Sequence, residues 1–285
     1  MAHGRSWDLG ALEQTLLAPL HARAHDARRR RPLVPDPAAA GVVDEIGPEV
    51  GTGVTGPAAA PRLDDLATVL RGAILDHWVR EFLTEHPAGT VVELGAGLNT
   101  RAERLAGPGD REWPEANWVD VDLPDVTALR RDLLPGSAGR RFVAGSVLDE
   151  DWLDVVRELP GPYLLVSESV LTLLPEQGVQ RVVFTIGSML PGATLLMDTV
   201  GRSVADRLQR CEPLCSRGLM FDWTCEDPRE LEPWGLRLRE SRGVGELPDA
   251  VHRGLSLSAR AVAVAVRAAP QLRGHRLARY EVSAV

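Results

Sequence analysis

No apolar run in these 285 residues approaches the ~20 needed to cross a bilayer, so no membrane-spanning helix is expected. No charged leader followed by an apolar stretch opens the chain, so no secretory signal is expected either. Cysteine is scarce. Cys211, Cys215 and Cys225 are the only three, an odd number without paired C-x₂-C spacing. This argues against a disulfide framework or a zinc site, and for reduced thiols in the cytoplasm. An excess of positive charge is also missing. A net charge of −8 suits neither nucleic acid nor another polyanion. The one basic cluster, Arg28 to Arg31, reads as the solvated C-terminal end of a helix. No metal site is expected, since Asp149, Glu150 and Asp151 suit the first turn of a following helix better than a cation.

What is present is ordinary for a globular protein: 44% hydrophobic and 25% charged residues, at a length that allows one large core. Leucines from Leu9 to Leu20 recur at helical spacing, with Pro19 expected to kink or split that helix. A short helix is expected after the Pro35-Asp36-Pro37 turn. Residues 47–61, rich in Gly, Pro and Ala, read as a flexible loop or lid, and 62–86 as one long amphipathic helix. After Pro87 the pattern alternates. Strand-like runs fall at 90–94, 117–121, 141–144, 163–167, 194–198, 236–240 and 276–282, with helices at 100–105, 125–133, 151–158, 176–189 and 259–267. Repeated β-α units predict an α/β, Rossmann-like fold. Its seven-stranded, mostly parallel sheet would carry helices on both faces, with one of the last two strands expected to pair antiparallel. Residues 1–86 would form an N-terminal helical cap and 87–285 the core, within a single structural domain.

The stretch TVVELGAGLNTRAERL, Thr90 to Leu105, runs from a strand through glycines into a helix. A dinucleotide fingerprint would read G-x-G-x-x-G with an acid some 20 residues on. Gly95 and Gly97 supply the first pair, but Thr100 stands at the third position. Glu93, at the carboxyl end of the strand, would repel a pyrophosphate and suit a cationic amino or sulfonium group. The residues therefore lean toward S-adenosylmethionine over a nicotinamide dinucleotide. Asp122, ending the next strand, can accept both hydroxyls of a ribose and fits either nucleoside. Asp120 is the weaker candidate for that contact.

Successive motifs then carry a resemblance. VVELGAGLNTR, WVDVDLPDVTALRRDLLP, SVLDEDWLD and SESVLTLLPEQGV are similar in order and spacing to those of the leucine carboxyl methyltransferase family. The likeness is closest to its bacterial branch of natural-product O-methyltransferases, and it runs from about Leu16 to the last strand. It implies a class I methyltransferase fold with S-adenosylmethionine as cofactor. It implies that Arg71 pairs with the cofactor carboxylate, with Arg23 near the same group. Gly95 and Gly97 would form the turn beneath the cofactor, while Asp122 takes the ribose and Leu123 flanks it. Ser146 and Val147 would flank the adenine, and Glu168 would stand beside the methionine portion and the active centre.

Departures from the family pattern fall on the acceptor side. Leu173 replaces a tyrosine, His21 stands where a tyrosine is common, Asn99 where an aspartate is common, and Ser146 where an acid is common. Thr172 and Leu173 are the expected substrate contacts. The expected activity is methyl transfer to a carboxylate or hydroxyl of a small, polyketide-like molecule, driven largely by alignment and exclusion of water. A carboxylate needs no base. A phenol, with a pKa of about 10, would benefit from one, and His21 or His252 would be first to consider. The expected partner is a small-molecule acceptor, with neither nucleic acid nor membrane, and with a homodimer left open. An NAD(P)-dependent oxidoreductase and a cofactor-binding protein with a decayed acceptor pocket are the competing classes.

Overall fold

The computed structural model describes residues 11–47, 62–106, 113–134, 136, 139–210 and 221–284. Residues 48–61, most of the expected lid, and Cys211 and Cys215 lie outside them.

Two helices come first, α1 (Ala11–Ala27) and α2 (Pro37–Ile46), then the long α3 (Leu63–Glu85). α1 continues through Pro19, where a kink or break was expected. Leu17, Leu20 and Ala24 are buried on both sides of the proline, and that packing holds the helix where a hydrogen bond is lost. α2 is capped as its sequence dictates: the Asp36 carboxylate accepts the Ala39 N–H at 2.9 Å, and Pro37 fills the first helical position. Arg28 and Arg29 lie just past the end of α1, paired with Asp44 and Asp26.

The alternating part follows as β1 (Thr90–Leu94), α4 (Arg101–Ala106), β2 (Asn117–Asp122), α5 (Pro124–Leu133), β3 (Arg140–Ala144), α6 (Asp151–Arg157), β4 (Tyr163–Ser167), α7 (Glu176–Met189) and β5 (Thr194–Val200). It ends with α8 (Arg202–Gln209), β6 (Leu236–Gly243), α9 (Asp249–Gly254), α10 (Leu257–Ala268) and β7 (His275–Val282). The seven strands form one sheet in the order β3-β2-β1-β4-β5-β7-β6. β7 is the antiparallel member, paired with both β5 and β6. Order reverses between β1 and β4, the position where open α/β sheets form a ligand crevice at the strands' carboxyl ends.

Each face of the sheet has its own core. Val92, Leu94, Val119, Val121, Leu165 and Met197 pack against α6 and α7. Val91, Trp118, Leu164, Val166 and Leu196 pack against α3 and α10. α3 is thus buried in the sheet's own core, although the expected cap boundary at residue 86 follows it in sequence. α1 and α2 form a third cluster with Leu98 and with Leu133 and Leu134 of α5 and its end. They cover the glycine turn. Among the described residues, no helix is long and apolar enough to cross a membrane.

Candidate active site

Strand alternation decides which side chains reach the crevice. Since Val92 and Leu94 face α6 and α7, Glu93 between them faces α3 and α4. Asp120 pairs with Glu93 in register and shares that face. β4 and β5 pair Val166 with Leu196 in the Glu93 row, so Glu168 and Asp198, two residues further on, lie on the same face nearer the carboxyl edge. Four neighbouring strands, β2, β1, β4 and β5, therefore each bring one acid to the same edge.

Adjacent buried carboxylates demand counter-charge, and arginines supply it; the chain has no lysine. Arg101, fully buried at the start of α4, is the hub. Its Nη1 donates to both oxygens of Glu93 at 2.7 Å, its Nε to Asp76 at 2.8 Å and its Nη2 to Glu168 at 2.6 Å. Arg104 donates to both oxygens of Asp76 at 2.9 Å and to Asp36 at 3.0 Å. Arg71 on α3 donates through Nε to Glu168 at 2.9 Å, and its Nη1 lies 3.9 Å from Asp198. The Asn99 amide donates to Glu168 at 3.1 Å. A planar guanidinium with five donors can bridge several carboxylates where an ammonium could not.

Protonation follows from this lattice. Burial alone would raise Glu168, but the charges of Arg71, Arg101 and Arg23 outweigh it and hold its carboxyl well below the usual range. Asp198 is likewise depressed despite burial, through the His275 hydrogen bond and the Arg71 charge. Arg23 behaves differently. Burial, and then the nearby Arg104 charge, lower it to about 10. Its Nη2 donates to the Leu98 carbonyl at 2.8 Å, while Nε stays 3.4 Å from Asp36, in ion-pair range without a hydrogen bond. Arg23 is a buried cation with too little counter-charge, next to the glycine turn.

The turn itself is tied to the end of β2. Gly95 and Ala96 donate to the Val121 carbonyl, and Gly97 donates to Asp122 Oδ2 at 2.6 Å. Both glycines have positive φ, 67° and 49°. A Cβ at Gly95 would come within 2.3 Å of Val170, and one at Gly97 within 3.1 Å of Leu16. Asp122 also accepts the Leu123 N–H at 2.8 Å; it is half-buried, and burial raises its pKa. Each oxygen keeps a lone pair for a further donor. Leu123 is 41% exposed at the crevice mouth.

The structure thus brings Arg23, Arg71 and Glu168 together at one end, and Gly95, Gly97, Asp122 and Leu123 at the other. Ser146 and Val147 follow β3 beyond Asp122. The Ser146 hydroxyl accepts the Leu148 N–H at 3.1 Å and closes its own turn. Thr172 and Leu173 form a single 3₁₀ turn after β4; Thr172 is buried and its hydroxyl has no partner.

Two expectations change. Glu93 does not present a free charge to a ligand, because Arg101 takes both its oxygens. Asp120 is buried beneath Arg130 and Arg140, at 3.1 and 2.6 Å, and is not placed for a ribose. Of the expected bases, His21 is buried on α1, while His252 sits half-buried on α9.

Sequence reasoning missed Arg101, Arg104, Asp76 and Asp36, which build the lattice, and Ser169, Asp198 and His275 beside Glu168. Ser169 is the one non-glycine residue with positive φ among the described residues, at 59°. Such a conformation costs of order 1–3 kcal/mol and persists only where surroundings impose it. A signal existed for part of this. Asp120 and Glu93, on mostly apolar strands, had to find cations on neighbouring elements.

Residues 17–187 match the family model described as leucine carboxyl methyltransferase. Across 97% of this chain and 99% of the relative, the sequence is 33% identical to the tetracenomycin polyketide synthesis O-methyltransferase TcmP of Streptomyces glaucescens. It is 29% identical to the S-adenosyl-L-methionine-dependent methyltransferase dpfgK of Gibberella zeae, over 81% of this chain and 82% of that one. In fold alone, it is similar to a DUF574 family protein of Streptomyces avermitilis. That match has a TM-score of 0.58 and 17% identity, over 92% of this chain and 97% of the other.

Proposed function

The chain belongs to the leucine carboxyl methyltransferase family and is an S-adenosylmethionine-dependent methyltransferase, and from that premise we propose that it methylates a carboxylate oxygen of a small, polyketide-like molecule. The observation that carries the choice of carboxylate is the protonation of the crevice. Glu168 and Asp198 are held ionised by arginine and histidine, so neither is set to take a proton. A carboxylate acceptor is already ionised near neutral pH and needs no base. A hydroxyl acceptor would benefit from one.

The residues present fit the donor. Arg23, short of counter-charge, and Arg71 would hold its carboxylate. Asp122 would accept the ribose hydroxyls on its remaining lone pairs, with Leu123, Ser146 and Val147 around the adenine. When bound, S-adenosylmethionine supplies a sulfonium methyl that is already electrophilic. The protein's own share is positioning. Glu168 is a fixed anion whose place between Arg71 and Arg101 does not depend on pH near neutrality. Leu16 and Leu20 of the covering helices, with Leu98, keep water from the glycine turn. Thr172 and Leu173 would meet the acceptor, and the unpartnered Thr172 hydroxyl is available to orient it.

The same reading takes α1 and α2 as the cover of the site and the cytoplasm as its location. The net charge of −8 supports a small-molecule acceptor over a nucleic acid. No partner protein is required, and a homodimer would be compatible with it.

The test supplies purified protein with S-adenosylmethionine and a panel of aromatic polyketide carboxylic acids, alongside analogues that keep phenols but lack the carboxyl. Mass spectrometry should find methyl esters that mild base cleaves. Base-stable ethers formed on the analogues would move the assignment to hydroxyl.

A further inference from the structure

Asp198 and His275 lie beyond residues 17–187 that match the family, yet they meet at the active edge. Asp198, 2% exposed, lies near the carboxyl end of β5 beside Glu168; His275, 7% exposed, opens β7 on the same face. The His275 Nε2 lies 2.9 Å from Asp198 Oδ2. The Ser169 N–H donates to Asp198 Oδ1 at 2.7 Å and its hydroxyl to Oδ2 at 3.2 Å. These are the bonds that hold Ser169 in its left-handed conformation.

What Ser169 holds in turn is the site. The residue before it is Glu168, clasped by Arg71 and Arg101. The residue after it is Val170, whose methyls occupy the space that a side chain at Gly95 would need. One strained residue therefore sets both the anion at the active centre and the side chain that seals the glycine turn. Resting on the reading that S-adenosylmethionine binds this crevice, we propose that His275 is a positioning residue for the donor site, acting through Asp198 to lock Ser169 and thereby Glu168 and Val170. His275 fixes the carboxylate, the carboxylate fixes the serine backbone, and the backbone places its two neighbours.

Positioning and bulk stability come apart at Ser169. A glycine tolerates φ near 60° without help, so it should make the lock unnecessary. The experiment measures S-adenosylhomocysteine binding by titration calorimetry, with melting temperatures alongside. His275→Leu should weaken binding about tenfold, because the charged hydrogen bond to Asp198 is lost. His275→Gln, whose side-chain amide can donate from nearly the same place, should recover most of the affinity. Adding Ser169→Gly to His275→Leu should also recover most of it, while leaving the fall in melting temperature uncorrected. If His275→Leu does not fold, His275→Asn takes its place with the same expected loss and the same recovery, since its shorter amide stops short of Asp198.

Failure of Ser169→Gly to restore binding, or unchanged affinity in His275→Leu, would overturn the proposal. If the wild-type protein binds no S-adenosylhomocysteine at all, the donor site itself is misplaced, which is a different failure from the first two.

Discussion

At the β4 end of the crevice, Glu168 sits among two guanidinium groups and an amide; at the β2 end, Asp122 is half-buried and held by the backbone N–H groups of Gly97 and Leu123. Burial raises both carboxylates, yet their net shifts are opposite. Arginine charge overrides it at Glu168 and depresses the pKa, whereas backbone donors at Asp122 leave burial ahead and the pKa raised. A carboxylate within a lattice of charges serves as a fixed landmark. One held only by N–H groups keeps lone pairs for a diol. In the proposed mode of binding, each end of the donor would meet an acid in a different electrostatic state, although both acids stand at a strand's carboxyl end.

The harshest way to break this comparison is to remove the hub of the first end. Arg101→Met should destabilise the protein by about 3–5 kcal/mol, since Glu93, Asp76 and Glu168 all lose a buried partner. Urea unfolding measures it, and a loss near zero would mean that the lattice is not what holds this edge together.

A pair of variants sharpens the contrast. Arg71→Ala and Asp122→Ala should each weaken S-adenosylhomocysteine binding at least tenfold, at ~1.5–3 kcal/mol per charged hydrogen bond. Only Arg71→Ala should also lower the melting temperature without ligand, because it leaves Glu168 short of counter-charge. Equal melting losses would erase the distinction, and unchanged affinity in both would mean that the crevice is not the donor site.

Glu168→Gln keeps the shape and removes the charge. It should reduce turnover about tenfold while costing less in stability than Arg101→Met, because the remaining carboxylates still neutralise the arginines. Parallel losses of turnover and melting temperature would assign Glu168 to structure alone.

The smallest effect is on acid unfolding. Glu168, Asp198 and Asp76 have depressed folded pKa values. Their stabilisation is present above the unfolded carboxylate range, near pH 4, and is lost as pH falls through the folded values. Glu168→Gln should make that loss shallower. Asp122, raised in the folded state, contributes with the opposite sign, so Asp122→Ala should leave the acid limb as steep or steeper. Denaturant midpoints between about pH 2 and 6 would show whether the two variants diverge.

Much of this molecule could be read along the chain. The runs at 90–94 and 163–167 became strands with the same bounds, since short, mostly apolar runs buried in a two-faced sheet leave few alternatives. α8, which follows β5, was not foreseen. Eight residues with Val204 and Ala205 as their buried side chains carry a weak periodic signal. Asp122, Arg71 and Glu168 were named from motif order, and they stand along the crevice. Glu93 was misjudged, because its partner Arg101, eight positions later, reads along the chain as an ordinary helix charge. His275 and Asp198 could not be paired at all; 77 residues and an antiparallel return separate them.

The sequence by itself determined the alternation of strands and helices, the glycine turn and the acids at the strand ends, because each follows from local periodicity and backbone sterics. Tertiary structure alone decided which of those acids stay open to a ligand and which are neutralised inside. That outcome depends on guanidinium groups arriving from α1, α3 and α4 within 3 to 4 Å, and Coulomb energy follows distance in space, not position in the chain.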